Sequence, residues 1–168
     1  MNIELRKWSE EYFADICEIF TRCDRSYLSD GIPMPYTEVH ARGWYENTVL
    51  PRDEKDGLYR VILADGKLVG QISIACYDDI RSRDAEMGYI LLDEYKGHGI
   101  MTQAVGMICS EAFSKLDVLR ITAEVFSPNI ASCRILEKNG FDLEGTLRHS
   151  VYKDGNVYDL YVYGKLKA

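Results

Sequence analysis

The spacing of apolar residues changes period several times along the chain, and each change marks an element. "IELRK" (3–7) alternates apolar and polar positions as an edge strand does. From Ser9, a plausible N-cap, the period lengthens: Tyr12, Phe13, Ile16, Ile19 and Phe20 fall on one helical face. "DRSYLSDGIPMPY" (24–36) is rich in turn formers and reads as loop, after which Thr37 can cap a short helix through Trp44. "LYRVILADGKLVGQISIACY" reads as a hairpin, with Asp65-Gly66 suited to a tight primed turn. "AEMGYILL" (85–92) is a strand whose continuous apolar end predicts burial on both faces.

The second half repeats the alternation of types. Ile100, Met101, Ala104, Val105, Ile108, Cys109, Ala112, Phe113 and Leu116 recur at helical spacing. "VLRITAEVF" (118–126) is a strand, followed by the helix "IASCRILEKN" with Gly140 as its left-handed cap. Two last strands, near 141–152 and 157–166, flank the turn "KDGN". The order is strand, two helices, three strands, helix, strand, helix, two strands, with no repeat and no linker. That predicts one mixed α/β (α+β) layer domain over residues 1–168.

Composition narrows the classes. With 46% hydrophobic and 28% charged residues the chain has the makeup of a soluble globular protein. No apolar run approaches the roughly 20 residues of a bilayer span, and "MNIELRKWSEEYF" has no signal-peptide pattern. The five cysteines are odd in number, form no Cys-x-x-Cys pair and have no neighbouring histidines, which argues against a disulfide framework and a metal site. A cytoplasmic location, with no membrane partner, is the expectation. A net charge of −7 with no basic cluster argues against direct nucleic-acid binding and suits cationic partners.

One turn carries candidate chemistry. In "YKGHGIMTQAV" (95–105) two glycines sit between a strand and a helix. A nucleoside-triphosphate loop needs Lys-Ser or Lys-Thr after its last glycine, and Ile100-Met101 stands there instead. A dinucleotide fingerprint needs a third small residue where Thr102 stands. What remains is a run of main-chain N–H groups from Lys96 to Thr102 at a helix N-terminus, open to a diphosphate. A glycine-rich turn with no ligand fits the spacing equally well.

Read with its neighbours, Lys96-Gly97-His98-Gly99-Ile100-Met101 resembles the acetyl-CoA loop of the GNAT superfamily of N-acetyltransferases, Gln/Arg-x-x-Gly-x-Gly/Ala. Gly99 matches, while Lys96 and Met101 depart from it. "AEMGYILL" is similar to the superfamily's central strand, and "SPNIASCRILEKNGFDLEGTLR" to its second cofactor motif. These segments and "YKDGNVYDLYVYGKL" resemble the RimJ/RimL-like branch, which acetylates N-termini of ribosomal proteins.

The resemblance implies a sheet whose fourth and fifth strands, here 85–92 and 118–126, splay apart around the cofactor's thioester arm. It implies that the diphosphate of acetyl-CoA sits on Lys96, Gly97, His98, Gly99, Ile100, Met101 and Thr102. The pantetheine arm would pair with backbone near Ile90 and Leu92 and bond to Asn129. No metal is implied.

Glu86 matches the strand glutamate that serves as base in some members. A carboxylate of ordinary pKa is a poor base, so burial or a relaying water is needed. Ser132 matches a serine of this branch placed at the cofactor sulfur, whereas the tyrosine acid of many members is replaced here by Leu136. Tyr27, Tyr36 and Trp44 are candidate walls of an acceptor pocket, though core packing explains Trp44 as well. His98 points outward from a phosphate turn; His40 and His149 lie outside any motif.

The implied activity is acetyl transfer from acetyl-CoA to a primary amine, first a protein N-terminus of ribosomal type. A small-molecule amine (polyamine, aminoglycoside or amino acid) is the alternative acceptor, and a non-catalytic CoA-binding module the alternative role. Relatives of this kind are often homodimers, and "VYDLYVYGKL" could supply interface strands or core.

Overall fold

The computed structural model describes residues 1–168. The strands are β1 (Ile3–Lys7), β2 (Gly57–Ala64), β3 (Lys67–Cys76), β4 (Asp84–Leu91), β5 (Arg120–Phe126), β6 (Asp142–Lys153) and β7 (Asn156–Leu166). The helices are α1 (Phe13–Arg22), α2 (Glu38–Trp44), the single turn α3 (Leu50–Arg52), α4 (Ile100–Lys115) and α5 (Ile130–Lys138). One seven-stranded sheet runs in the order β1-β2-β3-β4-β5-β7-β6.

Local chemistry accounts for most boundaries. Asp65 and Gly66, with φ of 47° and 81°, turn β2 into β3, as a primed turn demands. The His40 ring nitrogen accepts from the Thr37 N–H at 3.0 Å, closing a reciprocal cap on α2. At the first helix the expectation needs correction. Ser9 heads a 3₁₀ turn over Glu10–Tyr12, and its hydroxyl bonds to Glu11 instead of to a helix N–H. The α-helix begins only at Phe13.

The sheet is covered on both faces. On one lie α4 and α5, with Ile100, Met101, Ala104, Val105, Ile108, Cys109 and Ala112 all buried at helical spacing. Fully burying a side chain the size of Ile108 stabilises the fold by about 1.5–3 kcal/mol. On the other face, Phe13, Ile16, Ile19 and Phe20 of α1 pack with Tyr36, Tyr59, Val61, Ile90 and Leu92. β2 lies between the two layers and is buried along its whole length.

β4 and β5 are parallel neighbours, yet they pair only at Asp84↔Arg120, Ala85↔Ile121 and Glu86↔Thr122. Beyond that point β4 stays with β3 as far as Gly70↔Leu91, and β5 stays with β7 as far as Phe126↔Leu160. Each strand is fully paired on its outer side, so the inner edge of β4 past Glu86 opens into a gap. β7 is paired on both sides, between β5 and β6. Within "VYDLYVYGKL" residues 160–166 are paired with β5, so most of its edge is taken; the outer strand is β6. No helix is long and apolar enough to cross a membrane.

Gly70 fixes the β3–β4 spacing, because a Cβ there would lie 2.4 Å from the Ile90 carbonyl oxygen and 3.1 Å from Leu91 Cδ1. Backbone cannot yield as a side-chain tip can. Gly70→Ala is expected to destabilise the protein by about 2 kcal/mol or more, read as a lower urea midpoint; an unchanged midpoint would show that β4 has slack.

Candidate functional site

The gap between β4 and β5 opens into a cleft of about 670 Å³, roofed by the Asp24–Leu28 loop and floored by the glycine turn and α5. Gly97 and Gly99 take left-handed φ of 79° and 74°, and space is empty where a Cβ would stand on either. The N–H groups from Gly97 to Thr102 find no acceptor in the protein; the first bond of the helix runs from Gln103 N–H to Gly99 O at 3.2 Å. Unpaired donors at the head of a sixteen-residue helix make an anion cradle. Asn139 braces it from α5, its side-chain amide donating to Thr102 O at 3.1 Å and Ile135 O at 2.9 Å.

The cleft is basic within an acidic protein. Lys96, Arg134 and Lys138 line it, against the single carboxylate of Asp24. Arg134 and Lys138 stand one turn apart on α5, and neither appears in any ion pair, whereas Lys96 is held by Asp93 at 2.6 Å. The spacing of this α5 pair was readable in the sequence but was passed over.

Of the expected cofactor residues, Ile90, Lys96, Gly97, Gly99, Ile100, Met101, Thr102 and Asn129 line the cleft, while His98 and Leu92 do not. His98 is exposed and points away, as its place in the turn predicts. The main-chain assignment on β4 must be corrected. Leu92 N–H donates to Val69 O at 2.9 Å, and the Ile90 carbonyl faces Gly70. Both residues thus spend their polar backbone groups on β3. By the alternation of an antiparallel ladder, the groups turned toward the gap belong to Tyr89 and Leu91. Sequence fixes which residues alternate, and only the partner strand fixes the phase.

Alternation also separates the catalytic candidates. Ala85 and Met87 of β4, and Ala123 and Val125 of β5, face α4 and α5. Glu86 and Glu124 therefore face the opposite side of the sheet. Ser132, 8% exposed, is on the α5 side with Asn129, whose Oδ1 accepts its N–H at 3.3 Å. The Ser132 hydroxyl meets the Tyr89 hydroxyl at 2.5 Å, a contact that sequence reading missed. Its signal was parity: Tyr89 is three residues from Glu86 and so lies on the other face.

On the Glu86 side, burial, the Glu86 charge and the Glu124 charge push the Tyr77 phenol up to about 12. Glu124, another residue not anticipated, has its carboxyl raised above the ordinary range by burial and then by Glu86. Tyr27 enters the cleft and meets Phe126 edge-on with centroids 6.2 Å apart. Tyr36 and Trp44 do not wall it. Tyr36 is buried, stacked on Phe20 at 4.5 Å. Trp44 is 44% exposed on α2 and packs edge-on to Tyr59. No group of three or more His, Cys, Asp or Glu is placed to hold a metal.

A sheet parted between two parallel strands, with a bare amide cradle at the head of the following helix, defines the N-acyltransferase class of α/β domain. Residues 2–142 match the Acetyltransferase (GNAT) domain, and the chain belongs to that family, whose enzymes take acetyl-CoA as donor. The probable N-acetyltransferase YjcK of Bacillus subtilis is 33% identical over 156 residues, 92% of this chain and 80% of that protein. Among solved structures, the RimL ribosomal L7/L12 alpha-N-protein acetyltransferase in complex with coenzyme A superposes with a TM-score of 0.88. It is 21% identical, over 99% of this chain and 94% of that one. The spermidine N-acetyltransferase of Vibrio cholerae, in complex with CoA and spermine, superposes at 0.82 with 20% identity, over 98% and 95%. At these identities the two structures speak for the fold.

Gly99→Ala tests the cradle. Left-handed strain costs about 1–2 kcal/mol, and Gly66→Ala, at a φ of 81° in the β2–β3 turn, carries comparable strain far from the cleft. Calorimetric titration with CoA should give a Kd raised tenfold or more for Gly99→Ala and unchanged for Gly66→Ala; equal affinities in the two variants would rule the cradle out.

Proposed function

We propose that this protein acetylates a primary amine by direct attack on acetyl-CoA, with a protein N-terminal amine of ribosomal type as its first acceptor. The observation carrying the proposal is the gap between β4 and β5, which has unpaired main-chain donors and cations on one side and carboxylates on the other. The diphosphate would lie on the Gly97–Thr102 amides, with Arg134 and Lys138 supplying positive charge. The pantetheine arm would add to the free edge of β4 at Tyr89 and Leu91 like an extra strand, and Asn129 would bond to it.

The thioester carbon then sits in the gap, reachable from both faces of the sheet. The amine arrives on the Glu86 and Glu124 face; its nitrogen lone pair forms the new bond to the carbonyl carbon. The C–S bond breaks with its electron pair on sulfur, which departs toward Ser132. One proton leaves the nitrogen for a carboxylate and then water, and the thiolate is protonated on release. Neutralising an α-amine of pKa about 8 takes roughly 1 kcal/mol at pH 7, against roughly 4–5 kcal/mol for a lysine-type amine. Two carboxylates meet the smaller demand, which favours the N-terminus.

A second reading has a specific observation behind it. Glu86 and Glu124 sit close enough for one charge to raise the other's pKa, and such a pair suits a polyamine. We place the enzyme in the cytoplasm with its acceptors. A homodimer, if formed, would use β6, where Leu143, Leu147 and Tyr152 are exposed.

Thiol release from acetyl-CoA with peptides beginning in serine or alanine, spermidine and an aminoglycoside separates these readings. Peptide turnover with kcat/KM at least tenfold above spermidine is expected; the reverse order would move the acceptor to polyamines. Glu86→Gln should lower kcat/KM about 10- to 100-fold below about pH 7, the loss narrowing above about pH 9 where the amine is neutral unaided. A parallel pH profile would remove Glu86 from the base role.

Glu124 adds a stability test. Its pKa is raised in the folded state, so the folded protein holds that proton more tightly than the unfolded chain. Stability is then lost as pH rises through the interval between the two values. Glu124→Gln should therefore raise Tm at pH 7 while lowering turnover, and a lowered Tm would contradict this assignment.

A further inference from the structure

The main chain of Tyr89 borders the proposed cofactor arm, and its side chain has no part in the transfer steps. It stands on β4 three residues past the last rung shared with β5, its side chain turned to the α5 face and lining the cleft. Its hydroxyl has one partner in the protein, the Ser132 hydroxyl, and Ser132 has no other. A serine in the first turn of a helix usually bonds back to nearby backbone. Here the Ser132 hydroxyl is turned away from α5 by the phenol.

Two hydroxyls carry two hydrogens, and the bond between them uses one. The other has no acceptor in the protein, in a cleft that receives a thioester. Leu136, fully buried one turn further along α5, supplies no polar group. The Tyr89–Ser132 pair is thus the one hydroxyl donor that the α5 side presents at the gap.

We infer that Tyr89 is a positioning residue for acetyl transfer: its phenol donates to Ser132 Oγ and so turns the serine O–H toward the sulfur that leaves. This rests on reading the cleft as the acetyl-CoA site and adds to it the source of the serine's orientation. Burial holds the Tyr89 phenol up at about 12, well above a thiol near 8.5. The phenol therefore keeps its proton, and the pair acts by hydrogen bonding. As the C–S bond breaks, the electron pair on sulfur accepts the Ser132 O–H, which is strengthened by the Tyr89 bond behind it. The thiolate takes its proton from water as CoA leaves, and neither hydroxyl ends the cycle changed.

Tyr89→Phe keeps the ring and removes the donor, Ser132→Ala removes the relay, and the double variant completes a cycle. With the best acceptor of the panel, Tyr89→Phe should lower kcat about 5- to 20-fold with KM for acetyl-CoA within twofold. The double variant should be no slower than Ser132→Ala alone, because two groups acting through one bond do not add. A loss in the double variant equal to the product of the single losses, or a wild-type kcat for Tyr89→Phe, would overturn the inference.

A second readout needs no turnover. The thiol of bound CoA, titrated by thiolate absorbance as the difference between loaded and free protein, should ionise at a pH at least about half a unit higher in Tyr89→Phe than in the parent. Equal titration in the two would also overturn it. If CoA binds and its thiol responds to Tyr89 while no amine is acetylated, the functional proposal fails and this one stands.

Discussion

The structure turns on a shortage of rungs. β4 and β5 share a ladder of three residue pairs, and each then follows its outer neighbour, β3 or β7. Main-chain donors and acceptors left unpaired in a protein interior are costly, so a gap of this kind persists only where something else fills it. The same logic governs the glycine turn, where the N–H groups from Gly97 to Thr102 are free. Both sets of orphans border one cleft, and they match a ligand with an anionic head and a polar, extended arm. Asn139, which ties α5 to the first turn of α4, keeps the two edges in register.

Charge is divided across the gap in a way that suits an anionic donor and a cationic acceptor. The chain carries a net −7, yet the α5 side of the gap presents Arg134 and Lys138 without carboxylate partners, and the opposite face presents Glu86 and Glu124. An anionic cofactor and a cationic amine can therefore approach one carbon from opposite faces without crossing a repulsive surface. The arrangement follows from strand parity: on β4, Glu86 and Tyr89 point to opposite faces because they are an odd number of residues apart. On the roles proposed above, base and leaving-group donor would need no separate elements: one strand carries both Glu86 and Tyr89, the hydrogen-bond partner of Ser132.

Sequence was informative where chemistry is local. The α4 stripe, the Asp65-Gly66 turn and the Thr37 cap were legible from spacing, and the parting of β4 and β5 from the family resemblance, whereas the His40 half of that cap was not read. Features set by distant partners were not. Whether Ile90 or Tyr89 turns its backbone to the gap depends on the register with β3, and no feature of "AEMGYILL" encodes that. Tyr36 and Trp44 are both aromatic residues beside a loop, but one became core and the other surface, because α1 covers Tyr36 and leaves Trp44 free. β7 lies between β5 and β6, which puts Leu160 and Tyr163 in the core while Val157 and Leu166 at its ends stay exposed. The role of Tyr89 was available in principle, since parity alone sends it toward α5.

The acceptor is hidden for a structural reason. If donor recognition rests on main chain, as the unpaired N–H groups of the turn suggest, its signature is glycine and spacing, which survive substitutions such as Met101 for the usual small residue. An acceptor wall, on the reading proposed above, would be built of side chains on two segments distant in sequence. The 24–36 loop supplies Tyr27, and the β6–β7 hairpin lies beyond residue 142, where the family match ends. They are joined by Lys153, buried at the end of β6, whose Nζ meets Asp30 Oδ1 at 2.5 Å. A buried ammonium with one carboxylate partner leaves that partner little freedom to move away. The ion pair thus fixes how far the loop stands from the hairpin, and on the proposed reading it would set the width of the entrance open to an amine. Selectivity would then lie in that spacing and in the Glu86–Glu124 pair beneath it, features that no short motif expresses.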